Sequence, residues 1–393
     1  MLISRAWESP PWWLLTIRRK IMARIAIAHE RWTDIAGSEQ VTQQLTKTWS
    51  ETYVHVPFAK KSLIPEDLRD SFHISPLQVA YQLIRQRTYA PLLPLVPPAM
   101  QWGSLRQAHD VDAVVVSHHA FALAAVGAAQ AINKPSVAYV HSPARWAWDA
   151  RFRQEENRSK AGKAALAVLS ARARANETRW APHVTSIVGN SSAVVKRIEQ
   201  HWNREAQVVH PPVDTEFFHP DEAIEKGDYF ISVGRLVPYK QVPLGVAAAV
   251  AAGVRLVVVG DGRDMDRARA FAGPNVEFKG RLPGDEMRDL IRGARALLMP
   301  GEEDFGIVPV EAMACGTPVI ALGKGGALDT VKPGISGELF SGDGEKEVIA
   351  NLAEVLKNFD DSRFNISTLR NWAEGFSEAA FREKMAEVVD AVV

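Results

Sequence analysis

Two carboxylates, Glu303 and Glu311, stand eight positions apart in the stretch Glu303-Asp304-Phe305-Gly306-Ile307-Val308-Pro309-Val310-Glu311. An ionised carboxylate accepts hydrogen bonds on both oxygens, so such a pair suits the adjacent hydroxyls of a sugar and of a ribose. Pro309 fits the first turn of a helix. The N–H groups around Phe305, Gly306 and Ile307 would then lie at a helix N-terminus, where they suit phosphate oxygens. Glu302 is also acidic, but only Glu303 gives the seven-residue spacer. A second string, Gly234-Arg235-Leu236-Val237-Pro238-Tyr239-Lys240, follows an apolar run ending at Val233. Arg235 and Lys240 on one loop can reach one diphosphate and steady it as a leaving group by fixed positive charge. No metal and no cofactor are expected.

These residues need elements to hold them. Short apolar runs alternate with helical stretches, the pattern of an α/β chain with parallel sheets. Strands are predicted at 24–28, 113–116, 136–140 and 185–188, and again at 229–233, 255–259, 276–278, 296–299 and 318–321. Most are apolar throughout, as strands covered on both faces are. The Ala-rich, Pro-free stretch 158–180 reads as one long helix. In open parallel sheets, ligands bind beyond the carboxyl ends of the strands. Nearly every distinctive residue here sits just after a predicted strand.

Bulk properties set the outer limits. A chain of 393 residues has room for two domains, and 47% hydrophobic with 23% charged residues is the composition of an ordinary globular protein. The one cysteine, Cys315, excludes an internal disulfide and fits a reducing compartment. The run Pro10-Pro11-Trp12-Trp13-Leu14-Leu15 precedes its basic residues, so it does not read as a signal peptide. No apolar run approaches the ~18 residues of a membrane span. The net charge of zero is unevenly spread: +9 over residues 1–214 (26 Lys+Arg against 17 Asp+Glu) and −9 over 215–393 (20 against 29). Such asymmetry suits either two mutually attracting domains or a basic half facing an anionic lipid or polysaccharide.

Taken together, Arg235 and Lys240, the string Val258-Val259-Gly260-Asp261-Gly262, the Glu303/Glu311 segment and Gly323-Lys324-Gly325-Gly326 resemble the retaining glycosyltransferases of family 4, with their E-x7-E motif. The resemblance runs over roughly 22–390 and is densest over 229–340. It implies the GT-B fold: two Rossmann-like α/β/α domains facing each other across a cleft. The expected division is an N-terminal extension (1–21), an acceptor-side domain (22–212), a nucleotide-sugar domain (213–371) and a C-terminal helix (372–393) returning to the first domain. Gly260-Asp261-Gly262 lacks the last glycine of a dinucleotide-binding fingerprint and is read as a tight strand–helix turn.

The resemblance also implies roles. Glu303 maps to the residue on the donor-sugar hydroxyls and Glu311 to the one on the ribose. Arg235 and Lys240 map to the diphosphate ligands, and the backbone at Arg281-Leu282 to the holder of the base. Gly37, in Ile35-Ala36-Gly37-Ser38-Glu39, is what remains of a glycine-rich loop near the diphosphate. Of the pair His118-His119, His119 is the better match to a histidine near the donor sugar. His119, Arg235, Lys240 and Glu303 are thus the catalytic candidates. The string His141-Ser142-Pro143-Ala144-Arg145-Trp146-Ala147-Trp148 is similar to a segment of mannosyltransferase-like members. It makes GDP-mannose the leading donor and places His141, Trp146 and Trp148 on the acceptor side; the tryptophans suit a sugar wall or a packing corner equally.

The implied activity is metal-independent, retaining hexosyl transfer from a nucleotide-sugar to a hydroxyl of a glycan or lipid-linked glycan. The setting would be cell-envelope polysaccharide or glycolipid synthesis, in the cytoplasm and peripheral to the inner face of the membrane. The basic segment 145–179 is the candidate for an anionic membrane surface; no nucleic-acid partner is expected. Two other readings stay open: another GT-B enzyme such as a nucleotide-sugar epimerase, and a non-catalytic nucleotide-sugar or glycan-binding protein.

Overall fold

The computed structural model describes residues 23–86, 88–103, 105, 110–150 and 160–393. The expected N-terminal extension lies outside the described residues, as do 151–159 of the basic segment. Packing divides the chain into two compact units. Of the described residues, one unit comprises those up to Tyr139 with Ala175–Ile187 and Arg382–Val393; the other comprises those of Val140–Arg174 and Val188–Phe381.

The first sheet has seven strands: β1 (Arg24–His29), β2 (Glu51–Val56), β3 (Phe72–Ile74), β4 (Ala113–His118), β5 (Ser136–Val140), β6 (Ser186–Gly189) and β7 (Gln207–Val208). Their order is β3-β2-β1-β4-β5-β6-β7. β1 runs parallel to β2 and β4 at the centre. Every residue of β4 and β5 is buried, which is why these strands read as unbroken apolar runs.

The second sheet has six: β8 (Tyr229–Val233), β9 (Arg255–Val259), β10 (Val276–Gly280), β11 (Leu297–Met299), β12 (Val319–Leu322) and β13 (Gly337–Phe340). Its order is β10-β9-β8-β11-β12-β13, and every pairing is parallel. One apolar core runs under it from Phe230 and Ile231 through Val310 and Met313 to Leu352 and Leu369. The helices Val242–Ala252 and Glu345–Asn358 pack on each other beside it. Cys315 closes the helix Ile307–Ala314 and is 3% exposed; burial pushes its thiol up to about 12, marking it as a core residue rather than a nucleophile.

Both sheets follow one rule. The order leads outward from β1 through β2 to β3, then restarts on the other side at β4. From β8 it leads through β9 to β10, then restarts at β11. The reversals between β1 and β4, and between β8 and β11, are the switch points beyond which doubly wound sheets bind ligands.

Candidate functional site

The loops leaving β8 and β11 carry Arg235, Lys240 and Glu303 and lead to Glu311. After β8 the chain runs through Gly234 and Arg235 to a short 3-10 turn, Pro238–Lys240. After β11 it runs from Gly301 to Gly306 and enters the helix Ile307–Ala314. Close approach of backbone holds the loops together. A side chain at Gly301 would collide with Tyr239 and Lys240, and one at Gly260 with the carbonyl of Gly234. Gly325 and Gly326 press in the same way on Glu303 and Phe305. The glycine strings found in the sequence are therefore spacers that let site loops touch.

Lys240 donates from Nζ to Glu303 Oε1 at 2.8 Å, with both side chains more than four-fifths buried. Burial works against the lysine's charge, but the Glu303 carboxylate outweighs it and raises the Lys240 pKa. Glu311 lies one helical stretch further on and is half-buried. Burial pushes its carboxyl up to about 7, eased by Lys240 and reinforced by Asp214 and Glu303. The helix between them starts at Gly306, whose φ of 85° is costly for other residues, and no side chain caps its first turn. A carboxylate acceptor, a cation and an uncapped helix N-terminus thus share one loop system.

The remaining candidates divide. Arg235 is exposed on its loop. The Phe305 side chain is buried, stacked on His210 at 5.3 Å, so only its backbone can face a ligand. Arg281 and Leu282 follow β10; Arg281 is exposed and Leu282 packs on the core. His141 is buried. Trp148 stacks on His201 with centroids 4.5 Å apart, and Arg174 lies over the same indole; the Trp146 carbonyl accepts from Ser170 Oγ at 3.2 Å. These contacts pack the Trp148 ring and the Trp146 backbone, with both side chains half-buried. Arg145, Arg197, Glu302 and Asp304 form an ion-pair cluster that sequence reasoning missed, because its partners lie far apart in the chain. A cavity of about 250 Å³ beside it is lined by residues including Arg145, Tyr239, Gln241, Glu302 and Lys324.

In the first unit, Gly37 begins the helix Gly37–Thr46, and His119 follows β4. His118 is the wholly buried member of the pair, held by Glu177 at 3.0 Å and by the Leu123 N–H. His119 is half-buried. The turn after it is clamped by Glu30, whose Oε2 accepts from the N–H groups of Ala120 and Phe121 at 2.9 and 2.8 Å. Behind Gly37, His29 bridges Glu39 (3.3 Å) and Ser117 (3.0 Å) in a buried cluster. Glu39 also accepts from Ala36 N–H, satisfying the backbone donor at the start of the helix. No spacing rule announces Glu30, because its partners lie 90 and 91 residues away.

Residues 214–368 match the family "Glycosyl transferases group 1" and residues 35–217 match "Glycosyltransferase Family 4". D-inositol 3-phosphate glycosyltransferase 1 of Catenulispora acidiphila is 30% identical over 257 residues, covering 56% of this chain and 58% of that protein. The D-inositol 3-phosphate glycosyltransferase of Acidothermus cellulolyticus is 32% identical over 165 residues, 35% of this chain and 37% of that one. The chain thus spans little more than half the length of these curated relatives at most. Among solved structures, Anabaena HepE in complex with UDP superposes with a TM-score of 0.68 at 18% identity, covering 94% of this chain and all of that one. Sucrose-phosphate synthase of Thermosynechococcus elongatus gives 0.67 at 16%, covering 93% and 98%. Matched by the two families over adjoining stretches, and built from two Rossmann-like α/β/α domains of the GT-B type, the chain belongs to the glycosyltransferase family 4 and group 1 superfamily.

Proposed function

We propose that this protein transfers a hexosyl group, with retention, from a nucleotide-sugar to a hydroxyl of a glycan or glycolipid acceptor. One observation carries the reading: the Lys240–Glu303 pair sits on the same loop system as an uncapped helix N-terminus that leads to Glu311. In this reading Glu303 accepts from donor-sugar hydroxyls and Glu311 from the ribose. Lys240, Arg235 and the N–H groups at Gly306 and Ile307 steady the diphosphate. Charge grows on the diphosphate as the glycosidic bond lengthens, so these groups act chiefly on rate. The departing phosphate oxygen takes the proton of the incoming hydroxyl on the same face, which gives retention without a covalent enzyme intermediate. The resemblance assigns His119 and Gly37 to the sugar and diphosphate, the backbone of Arg281 and Leu282 to the base, and His141, Trp146 and Trp148 to the acceptor.

GDP-mannose is the donor that the His141–Trp148 segment supports. A UDP-hexose is the second reading, supported by the likeness to HepE, which was solved with UDP and with UDP-glucose. A thermal-shift panel of GDP-, UDP- and ADP-sugars separates them, since a ligand that binds the native state raises its apparent stability. Donor turnover without acceptor would indicate an epimerase; binding without turnover on any acceptor would indicate a binding protein. Peripheral attachment to an anionic membrane is a further part of the proposal. Arg145 and Arg174 are engaged inside the protein, so it rests on the exposed Lys163, Arg172 and Arg179. Absence of co-sedimentation with anionic liposomes at low salt would remove it.

A further inference from the structure

Glu302, Glu303 and Asp304 are three consecutive carboxylates in a loop without regular structure. Left to themselves they would repel one another and spread. The structure separates them by partner. Glu303 turns to Lys240 at 2.8 Å. Its two neighbours turn to guanidinium groups: Arg197 Nη2 lies 3.1 Å from Glu302 Oε1, and Arg197 Nη1 is paired with Asp304 Oδ1. Arg145 Nη1 stands 3.4 Å from the same Asp304 oxygen. Glu302 and Asp304 thus share the Arg197 guanidinium, while Glu303 between them is paired with a different cation, Lys240. Holding 302 and 304 on Arg197 leaves 303 to turn to Lys240.

The backbone of the loop is pinned as well. Arg145 donates to the Glu302 carbonyl at 3.3 Å, Gly326 N–H to the Glu303 carbonyl at 2.9 Å, and Ser191 Oγ to the Asp304 carbonyl at 2.5 Å. Ser191 caps the helix Ser192–Trp202 that carries Arg197, so one rigid element supplies both a backbone and a side-chain anchor. Arg145 and Arg197 keep 12% and 19% of their side-chain surface and Asp304 27%, so the Asp304 pairs are partly shielded from solvent, while Glu302, at 41%, is screened more.

We propose that Arg197, seconded by Arg145, is the positioning residue for Glu303: it sets the direction of that carboxylate and so the recognition of the donor sugar. This rests on the reading of Glu303 as the sugar-binding carboxylate. Arg197 touches no donor group in this scheme. Its loss should leave nucleoside diphosphate binding in place and erase the additional affinity contributed by the sugar.

The experiment compares dissociation constants for GDP against GDP-mannose, and UDP against UDP-glucose, in wild type, Arg197→Gln, Arg197→Lys, Asp304→Asn and Glu303→Gln. For the pair that binds, Arg197→Gln should hold the diphosphate constant within about twofold and remove the sugar increment. It should also lower kcat about 100-fold, the cost of a misplaced group. Arg197→Lys keeps the charge but not the fork and should recover only part. Should Arg197→Gln fail to fold, Asp304→Asn, which removes one arm, should show the same loss in milder form. A folded Arg197→Gln or Asp304→Asn with the full sugar increment, while Glu303→Gln lacks it, overturns the proposal. A full increment in Glu303→Gln, or no binding of either nucleotide pair by wild type, overturns the reading beneath it.

Discussion

Charge at single residues sets the first expectations. Glu303→Gln should fold, bind the nucleoside diphosphate and lose sugar transfer by about 100-fold or more, because the lost contact belongs to the reacting sugar; steady-state kinetics with the free diphosphate as competitor will show it. Glu311 gives a pH signature. Its folded pKa of about 7 lies above the ordinary 4.5. Below 4.5 both folded and unfolded forms are protonated and the group is neutral to stability; between 4.5 and 7 the folded form holds the extra proton, so stability falls as pH rises. Glu311→Gln should therefore match wild type near pH 4.5 and exceed it by about 3 kcal/mol at pH 8 in denaturant titrations. Nucleotide binding should strengthen as pH rises through 7 in wild type, where the ionised carboxylate accepts from the ribose, and stay weak and flat in the variant. The two glutamates, Arg235 and Lys240 were visible in the sequence because spacing and charge announce them. Which of the three adjacent carboxylates faces Lys240 was not visible, since that depends on Arg197, more than a hundred positions earlier.

Loops and strands carry the next level. Most strands read correctly from the sequence, such as β4 and β5, are buried and apolar throughout; β10, Val276-Glu277-Phe278-Lys279-Gly280, is the exception, legible from its alternation. The unread ones have other reasons. β2, Glu51-Thr52-Tyr53-Val54-His55-Val56, mixes polar and apolar residues, and only its second half is buried. β3 and β7 span three and two residues, too short for any period to register. β13 begins with a glycine and carries a glutamate. Two predictions belong here. Gly260→Ala places a side chain against the Gly234 carbonyl at a φ of 128°; it should cost about 1–3 kcal/mol from backbone strain alone, with the collision added, and slow turnover by displacing the Arg235 loop. Ser191→Ala removes the cap that accepts from Val194 N–H at 3.2 Å and the bond to Asp304. It should cost about 1 kcal/mol or more by denaturation and reproduce part of the Arg197 phenotype.

Across the whole molecule, the same strand order is used in two sheets without a repeated sequence, since order depends on strand twist and crossover handedness and not on particular residues. The C-terminal helix Glu378–Asp390 ends within the first unit, where Arg382 donates to Gln44 at 2.5 Å and Met385 is fully buried. Met385→Ala should cost about 2–5 kcal/mol, read as a lowered denaturation midpoint with unchanged slope. Cys315 adds a consequence of a different kind. The only thiol in the chain closes the helix between Gly306 and the core, its N–H on the Glu311 carbonyl at 3.1 Å. A thiol reagent can reach it only when that helix opens, so the rate of labelling is a clock for local opening at the Glu311 end of the donor loop, running in the unmodified protein without any introduced probe.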